Sequence, residues 1–571
     1  MIVHVFACDY DGTIAGHGHV EERTAQALAR VRESGRKLLL VTGRMLPDLR
    51  SVCPDVDGMF DAVVAENGAV LYFPGSRETK VLGDPPEESL LEALRQRRVR
   101  LDVGASIIAT DEPFAEAALA AIRQTGVERT LVFNKGALML LPGGVTKGTG
   151  LEAALAAMEL SLHNTVCIGD AENDHVFLAM GECGVAVDNA IPALKERADY
   201  VTRAANGEGV VEFIDEHLVN DCAQLIPRLP RHRLRIGETL DGEPVALPAH
   251  GTRLLIIGPS GTGKTTLTGA LVERIVEVGR SALLIDPEGD YQTLADLERV
   301  VVLGGTGERA LPTPDELHQL LRRPGSSLVL NLSAMTRAEK VAYATKVLGV
   351  VAAVRSTSGV PHWLILDEAH HVVPADGSPG AELLRAGPEA LCMITLVVED
   401  LAPEARTLPT AVASTELAAF AAALNASRNE EAPTAIPGGP LERGEAALAW
   451  LDDRPRAVRF RVAQRRVQHR RHVRKYTEGE LPPDRSFFFR GPAGALNLRA
   501  ANLTRFVELA DGVDEATWAH HLAHGEYSKW VREMIKDPEL ATQLAALETA
   551  GDSPAESRRR VLAAIRARYA V

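Results

Sequence analysis

Six cysteines are all that the 571 residues carry, at positions 8, 53, 167, 183, 222 and 392, and no two of them form a CxxC pair. That scarcity excludes a disulfide framework and a cysteine-rich zinc site, and it reads as buried thiols of a reducing cytoplasm. No uncharged apolar run reaches about 18 residues, so a membrane span is not expected. The opening Met1-Ile2-Val3-His4-Val5-Phe6 enters a strand pattern without a basic leader or cleavage site, which gives no sign of secretion. Positive charge is not in excess either. The 62 Lys and Arg stand against 77 Asp and Glu, a net charge of −15, which excludes wholesale coating of nucleic acid but leaves room for a local basic patch. There is no internal repeat.

What is present is the composition of folded protein, 46% hydrophobic and 24% charged. A chain of this length predicts about three to four domains of ~100–200 residues each. Residues 1–215 alternate short apolar runs (2–8, 37–42) with a helical pattern (21–34), the rhythm of a parallel α/β sheet. A stretch from about 82 to 142 reads as an insert, with strand, helix and strand over Ala105–Thr110, Pro113–Gln124 and Thr130–Asn134. Pro227–Arg233 reads as part of a linker over 216–233. A second α/β domain is expected over 234–475 and a small, mainly helical one over 482–571.

Two separate phosphate-handling patterns stand on this frame. In Cys8-Asp9-Tyr10-Asp11-Gly12-Thr13, Asp9 ends an apolar strand, at the carboxyl edge where parallel sheets bind ligands. Asp11, two residues on, projects to the same side. A carboxylate nucleophile beside a second carboxyl group suits covalent catalysis with proton transfer. Thr42, in Val41-Thr42-Gly43-Arg44, offers a hydroxyl to phosphate oxygens, and Lys147 supplies positive charge. Asp170 and Asp174, in Gly169-Asp170-Ala171-Glu172-Asn173-Asp174, can hold a hard cation such as Mg²⁺.

These four segments resemble the motifs of the haloacid dehalogenase (HAD) superfamily, class IIB, the Cof-like and sucrose-phosphatase-like phosphatases, over about 1–215. The resemblance implies a Rossmann-like core with a small α/β cap. It also implies Asp9 as the nucleophile forming an aspartyl-phosphate, Asp11 as general acid/base, and Thr42 and Lys147 as phosphate ligands. Mg²⁺ would be held by Asp170, Asp174, the Asp9 carboxylate and the Asp11 carbonyl. The substrate would be a small phosphomonoester, its choice set by the cap. Asn67 is either a substrate contact or simply part of an Asn-Gly turn.

The second pattern, Gly258-Pro259-Ser260-Gly261-Thr262-Gly263-Lys264-Thr265, lies between an apolar strand and a helix, the context a P-loop requires. Gly258, Gly261 and Gly263 free backbone amides for phosphate oxygens, and Lys264 reaches the β and γ phosphates. Thr265, with Thr266 beside it at the helix start, and Asp367 are the expected Mg²⁺ ligands. Glu368 is placed to polarise water, which points to ATP hydrolysis. Together with Asp286-Pro287-Glu288-Gly289-Asp290-Tyr291 and the strand-like Ser327–Leu332, this region resembles the HerA/FtsK-like ATPases over about 232–475, with a RecA-like fold. Where those ATPases carry a polar sensor this chain offers Thr395 or Glu399, and Arg406 and Arg428 are its candidate arginine fingers; an oligomer is possible on that resemblance.

Residues 454–475 hold ten Lys and Arg, with His469 and His472, and could contact DNA or RNA phosphates or form a solvated edge. Trp518, Tyr527 and Trp530 read as the core of the C-terminal domain, and His520, His521 and His524 as a helix face. The sequence thus predicts a Mg²⁺-dependent phosphatase joined to an ATP-binding, ATP-hydrolysing domain. The alternatives are a nucleic-acid-associated ATPase with a polynucleotide-end phosphatase, or a phosphatase–kinase pair.

Overall fold

A computed structural model describes residues 3–16, 18–305, 309–376, 379–384, 390–426, 436, 439–451, 456–465, 477, 481, 486–492, 496–535 and 537–569. The chain divides into two compact units, Met1–Ala463 and Gln464–Val571.

The first unit is built on two large sheets. One has eight strands in the order Tyr200–Val201, Cys183–Ala186, Thr165–Gly169, Val5–Cys8, Lys37–Val41, Ala62–Ala65, Val70–Phe73, Glu78–Val81. The first six run parallel and the last two turn back antiparallel. Its central strands are apolar throughout because helices cover both faces, and all four residues of Val5–Cys8 are buried. Three neighbouring strands, Thr165–Gly169, Val5–Cys8 and Lys37–Val41, therefore deliver Asp170, Asp9 and Thr42 to one edge.

The insert forms a separate four-stranded antiparallel sheet, Arg129–Asn134, Ala137–Pro142, Ile108–Asp111, Asp102–Val103, covered by helices Glu88–Gln96 and Ala115–Thr125. Leu90, Leu94, Ile108, Ala118, Leu138 and Leu140 make its core.

The other large sheet has eleven strands. At its centre lie, in order, Ala411–Ser414, Arg253–Ile257, Ala390–Thr395, Trp363–Leu366, Ala282–Asp286 and Ser327–Asn331, all parallel. Ser327–Asn331 lies outside Ala282–Asp286. The strand between the P-loop strand and the strand ending at Asp367 is Ala390–Thr395, which follows Asp367 in sequence.

The stretch connecting the sheets is packed rather than slack. Leu218, Cys222, Ile226 and Leu229 are buried in the first sheet's core. Arg231 donates to the carbonyls of Ala179 at 2.6 Å and Gly181 at 2.9 Å.

The two sheets approach each other at the amino ends of their strands. His163 and Glu182 precede Thr165–Gly169 and Cys183–Ala186. His250, Arg280 and His362 precede Arg253–Ile257, Ala282–Asp286 and Trp363–Leu366. Glu182 accepts two bonds from Arg280 and lies 3.1 Å from both His163 Nδ1 and His250 Nε2. Ser161 Oγ lies 3.2 Å from His362 Nε2.

The second unit buries Trp518, Tyr527 and Trp530 with Phe487, Phe489 and Phe506 among its helices. His521 is buried there and accepts the Arg490 N–H at 2.9 Å, so it serves the packing. Most of the basic run, with His469 and His472, and the candidate Arg428 lie outside the described residues.

Candidate functional site

Asp9, Asp170 and Asp174 are buried together, with carboxylate oxygens within 4.8 Å of one another. Lys147 bridges two of them, donating to Asp9 Oδ1 and Asp174 Oδ1 at 2.6 Å each. It opens the helix Lys147–Ala157, which is fixed by a capping box between Thr146 and Thr149. That helix start fits because residue 68 is glycine. A Cβ on Gly68 would lie 1.9 Å from the Thr146 carbonyl oxygen, and φ there is +106°. Asp174 Oδ2 accepts the backbone N–H of Asp170 and Ala171 at 2.8 and 2.9 Å, and Thr13 donates to Asp170 Oδ1 at 3.0 Å.

Burial pushes the Asp9 carboxyl well up; Lys147 opposes the shift, and Asp174 and Asp170 add to it. Burial raises Asp170 as well. Burial works against the charge on Lys147, but Asp174 and Asp9 outweigh it and hold the ammonium protonated. Three carboxylates set against two ammonium groups, Lys147 on Asp9 and Asp174 and Lys135 on Asp170, leave negative charge that a divalent cation would neutralise, and an all-oxygen donor set fits Mg²⁺.

Asp11 is not drawn into this cluster by its side chain. Arg44 grips both its oxygens at 2.7 Å and also donates to Asp48 at 2.6 Å. Thr42 is buried, and its hydroxyl oxygen accepts the Arg44 N–H at 3.1 Å. Asn67 sits in a left-handed turn (φ 54°), and its side chain is also used: Oδ1 accepts from Asn173 at 2.8 Å, and Nδ2 donates to Met139 Sδ at 2.7 Å.

Three participants carry no signal in the sequence. Lys135, at the tip of the insert's Arg129–Asn134/Ala137–Pro142 hairpin, donates to Asp170 Oδ2. Arg44 is the second, through its hold on Asp11. The third is Glu66, a buried carboxylate that accepts the N–H groups of Ala105, Ser106 and Ile107 at 3.0, 3.0 and 3.3 Å and so roots the insert.

The P-loop follows Arg253–Ile257, with Gly258, Gly261 and Gly263 at φ +153°, +77° and +111°, and leads into the helix Lys264–Glu277. Lys264 folds back on the carbonyls of Gly258 and Pro259 at 2.8 and 3.0 Å. Thr265 and Thr266 lie in the helix's first turn. Asp367 ends Trp363–Leu366, two strands away, and receives Tyr291 Oη at 3.3 Å. Burial, then Asp286 and Glu368, pushes its carboxyl up to about 7. Glu368 has left-handed backbone (φ 39°), and its buried Oε2 has no hydrogen-bond partner.

Asp286 accepts the N–H groups of Gly289, Asp290 and Tyr291 at 2.7, 3.1 and 3.0 Å, so it shapes its own loop. Thr395 lies 3.4 Å from His370 Nδ1, which puts it, rather than the exposed Glu399, beside the Asp367–Glu368 segment. Arg406 is spent on the carbonyls of Leu401 and Glu399 in its own loop.

Comparison with known proteins matches both patterns. The haloacid dehalogenase-like hydrolase profile matches residues 6–101 and 96–214, and the profile of the central domain of the helicase HerA matches 234–342. A phosphoglycolate phosphatase of Methanothermobacter thermautotrophicus is 35% identical over 221 residues, covering 37% of this chain and 97% of that protein. Phosphoglycolate phosphatase 2 of Saccharolobus solfataricus is 31% identical, covering 37% and 91%. A solved haloacid dehalogenase-like hydrolase from Bacteroides thetaiotaomicron aligns with a TM-score of 0.33 and 21% identity, over 37% of this chain and 98% of its own.

Proposed function

We propose, from the premise that the chain belongs to the haloacid dehalogenase-like hydrolases and carries a HerA-type central domain, that it hydrolyses a small phosphomonoester through Asp9 and binds and hydrolyses ATP at a separate P-loop. The observation that carries the first half is Lys147 bridging Asp9 and Asp174 at the edge where Asp170 and Thr42 also end their strands. The phosphatase would occupy 1–215 with its cap at about 82–142, the ATPase 234–475, and a helical domain 482–571.

In this reading an Asp9 oxygen attacks phosphorus as the ester P–O bond breaks, and the leaving alkoxide takes a proton from Asp11. Water then attacks the aspartyl-phosphate, returns a proton to Asp11 and frees phosphate and the Asp9 carboxylate. Asp11 can serve only once Arg44 releases it, because both its oxygens are taken up as acceptors by the guanidinium. Lys147 and Thr42 hold the phosphoryl oxygens. Asp9, Asp170, Asp174 and the Asp11 carbonyl would hold Mg²⁺, which when bound supplies charge neutralisation to the transferring phosphoryl group. The similarity to phosphoglycolate phosphatases makes phosphoglycolate the first substrate to try.

At the P-loop, Lys264 and the loop amides would take the ATP phosphates, Thr265 and Asp367 its Mg²⁺, and Glu368 the attacking water. Asp9→Asn is expected to abolish phosphate release from phosphoglycolate while leaving ATP binding intact. Full turnover by that variant would remove Asp9 as the nucleophile.

A further inference from the structure

Lys135 is the second ammonium at the aspartate site, and it comes from the insert rather than from the core. It occupies the turn of a tight hairpin with left-handed backbone (φ 46°), followed by Gly136 at φ +90°. A non-glycine residue in that conformation is strained. Its bond to Asp170 leaves the lysine 44% exposed, while the aspartate side chain is fully buried.

Its surroundings favour a ligand. The ammonium lies over the nucleophile loop, 3.0 Å from where a Cβ on Gly12 would stand. The same hairpin presses Met139 onto Asn67 at 2.7 Å, with its methyl 3.4 Å from where a Cβ on Gly43 would stand, beside Thr42. Glu66 pins the insert's root to the core. A cap resting this closely on the site favours a short leaving group. Lys147 gives two of its three N–H bonds to Asp9 and Asp174 and, in the reading above, the third to a phosphoryl oxygen, so none is left for a second anionic group.

We propose that Lys135 is a specificity-determining residue: it binds a carboxylate carried by the leaving group, a few atoms from the ester oxygen. Asp9 and Asp170 oxygens lie within 4.8 Å of each other, so a group one hydrogen bond (about 2.8 Å) from Asp170 stands within about 8 Å of the attacking oxygen. That span matches a short phosphorylated hydroxy acid. Sugar phosphates lack the second charge and gain nothing from it. The proposal rests on the phosphatase reading above.

The test compares kcat/KM for phosphoglycolate and for ethyl phosphate in the wild type, Lys135→Met and Lys135→Arg. In Lys135→Met the ratio between the two esters is expected to fall at least about tenfold, through KM, as for loss of one charge-assisted hydrogen bond. Lys135→Arg should keep most of the discrimination. The ratio within one variant does not depend on how much of it is folded. An unchanged ratio, or an equal loss on both esters, would overturn the assignment while the phosphatase reading stands. A wild type that hydrolyses neither ester takes down both.

Discussion

Arg280 donates to both carboxylate oxygens of Glu182, at 2.6 and 2.7 Å, across the boundary between the two large sheets, and neither side chain reaches solvent. Burial works against the charge on Glu182, but Arg280 and then His250 outweigh it and hold its carboxyl well below the usual range. A pair so placed is costly to break, because removing one partner strands a buried charge. Arg280→Met is expected to destabilise the full chain by about 3–5 kcal/mol in urea unfolding. The double variant Glu182→Gln/Arg280→Met should lose less than the sum of the single changes.

Acid should loosen the same junction. Burial lowers His163, His250 and His362 from 6.5, and His232 to about 4; Glu182, Arg280 and Arg231 are the charged groups around them. Unfolded, each histidine takes up a proton near 6.5; folded, it does so only at lower pH. The unfolded chain thus binds more protons from about pH 6.5 down to about 4, and stability falls across that window by up to about 1.4 kcal/mol per pH unit per histidine. Urea midpoints at pH 7 and pH 5 measure the drop, and His232→Gln should make it shallower.

Glu66→Gln keeps the shape of the insert's anchor but removes its charge. The amides of Ala105, Ser106 and Ile107 then lose a carboxylate acceptor, a change of about 1–3 kcal/mol. Hydrogen exchange at those three amides should quicken by roughly tenfold to a hundredfold, while the amides of Val5–Cys8 stay protected.

Glu368 is half-buried; its Oε2 makes no hydrogen bond and lies 3.5 Å from His370 Nδ1, and burial, opposed by Lys264, raises its carboxyl. Glu368→Gln is expected to lower ATP turnover by about 10²–10⁴-fold, the usual weight of a general base. Nucleotide affinity, read by calorimetry, should change little.

What could be read in advance follows from chain geometry. Asp9, Thr42 and Asp170 each end an apolar run, and parallel strands must bring such ends to one edge. The P-loop was legible for the same reason, since its glycines and lysine adjoin in sequence. Partners drawn from distant segments were not legible. Glu182 and Arg280 are 98 positions apart, and Arg44 reaches Asp11 across 33. Lys135 looks like any surface lysine until the hairpin's fold points it at Asp170. Strand order is likewise absent from a linear reading. Ser327–Leu332 was expected as a strand and forms one over Ser327–Asn331, and Ala390–Thr395 separates the P-loop strand from the strand preceding Asp367 because of how the crossovers run.

The amino-end meeting of the two sheets has a further consequence. Val5–Cys8 has four residues and Arg253–Ile257 five, so about 13–16 Å of strand separates that junction from the edge bearing Asp9 in one sheet and from the P-loop in the other. Both sites thus lie at the strand ends that face away from the junction, and the junction itself holds neither of them. What a single chain does guarantee is dosage: every round of synthesis makes one copy of the aspartate cluster and one of the P-loop, in fixed one-to-one supply.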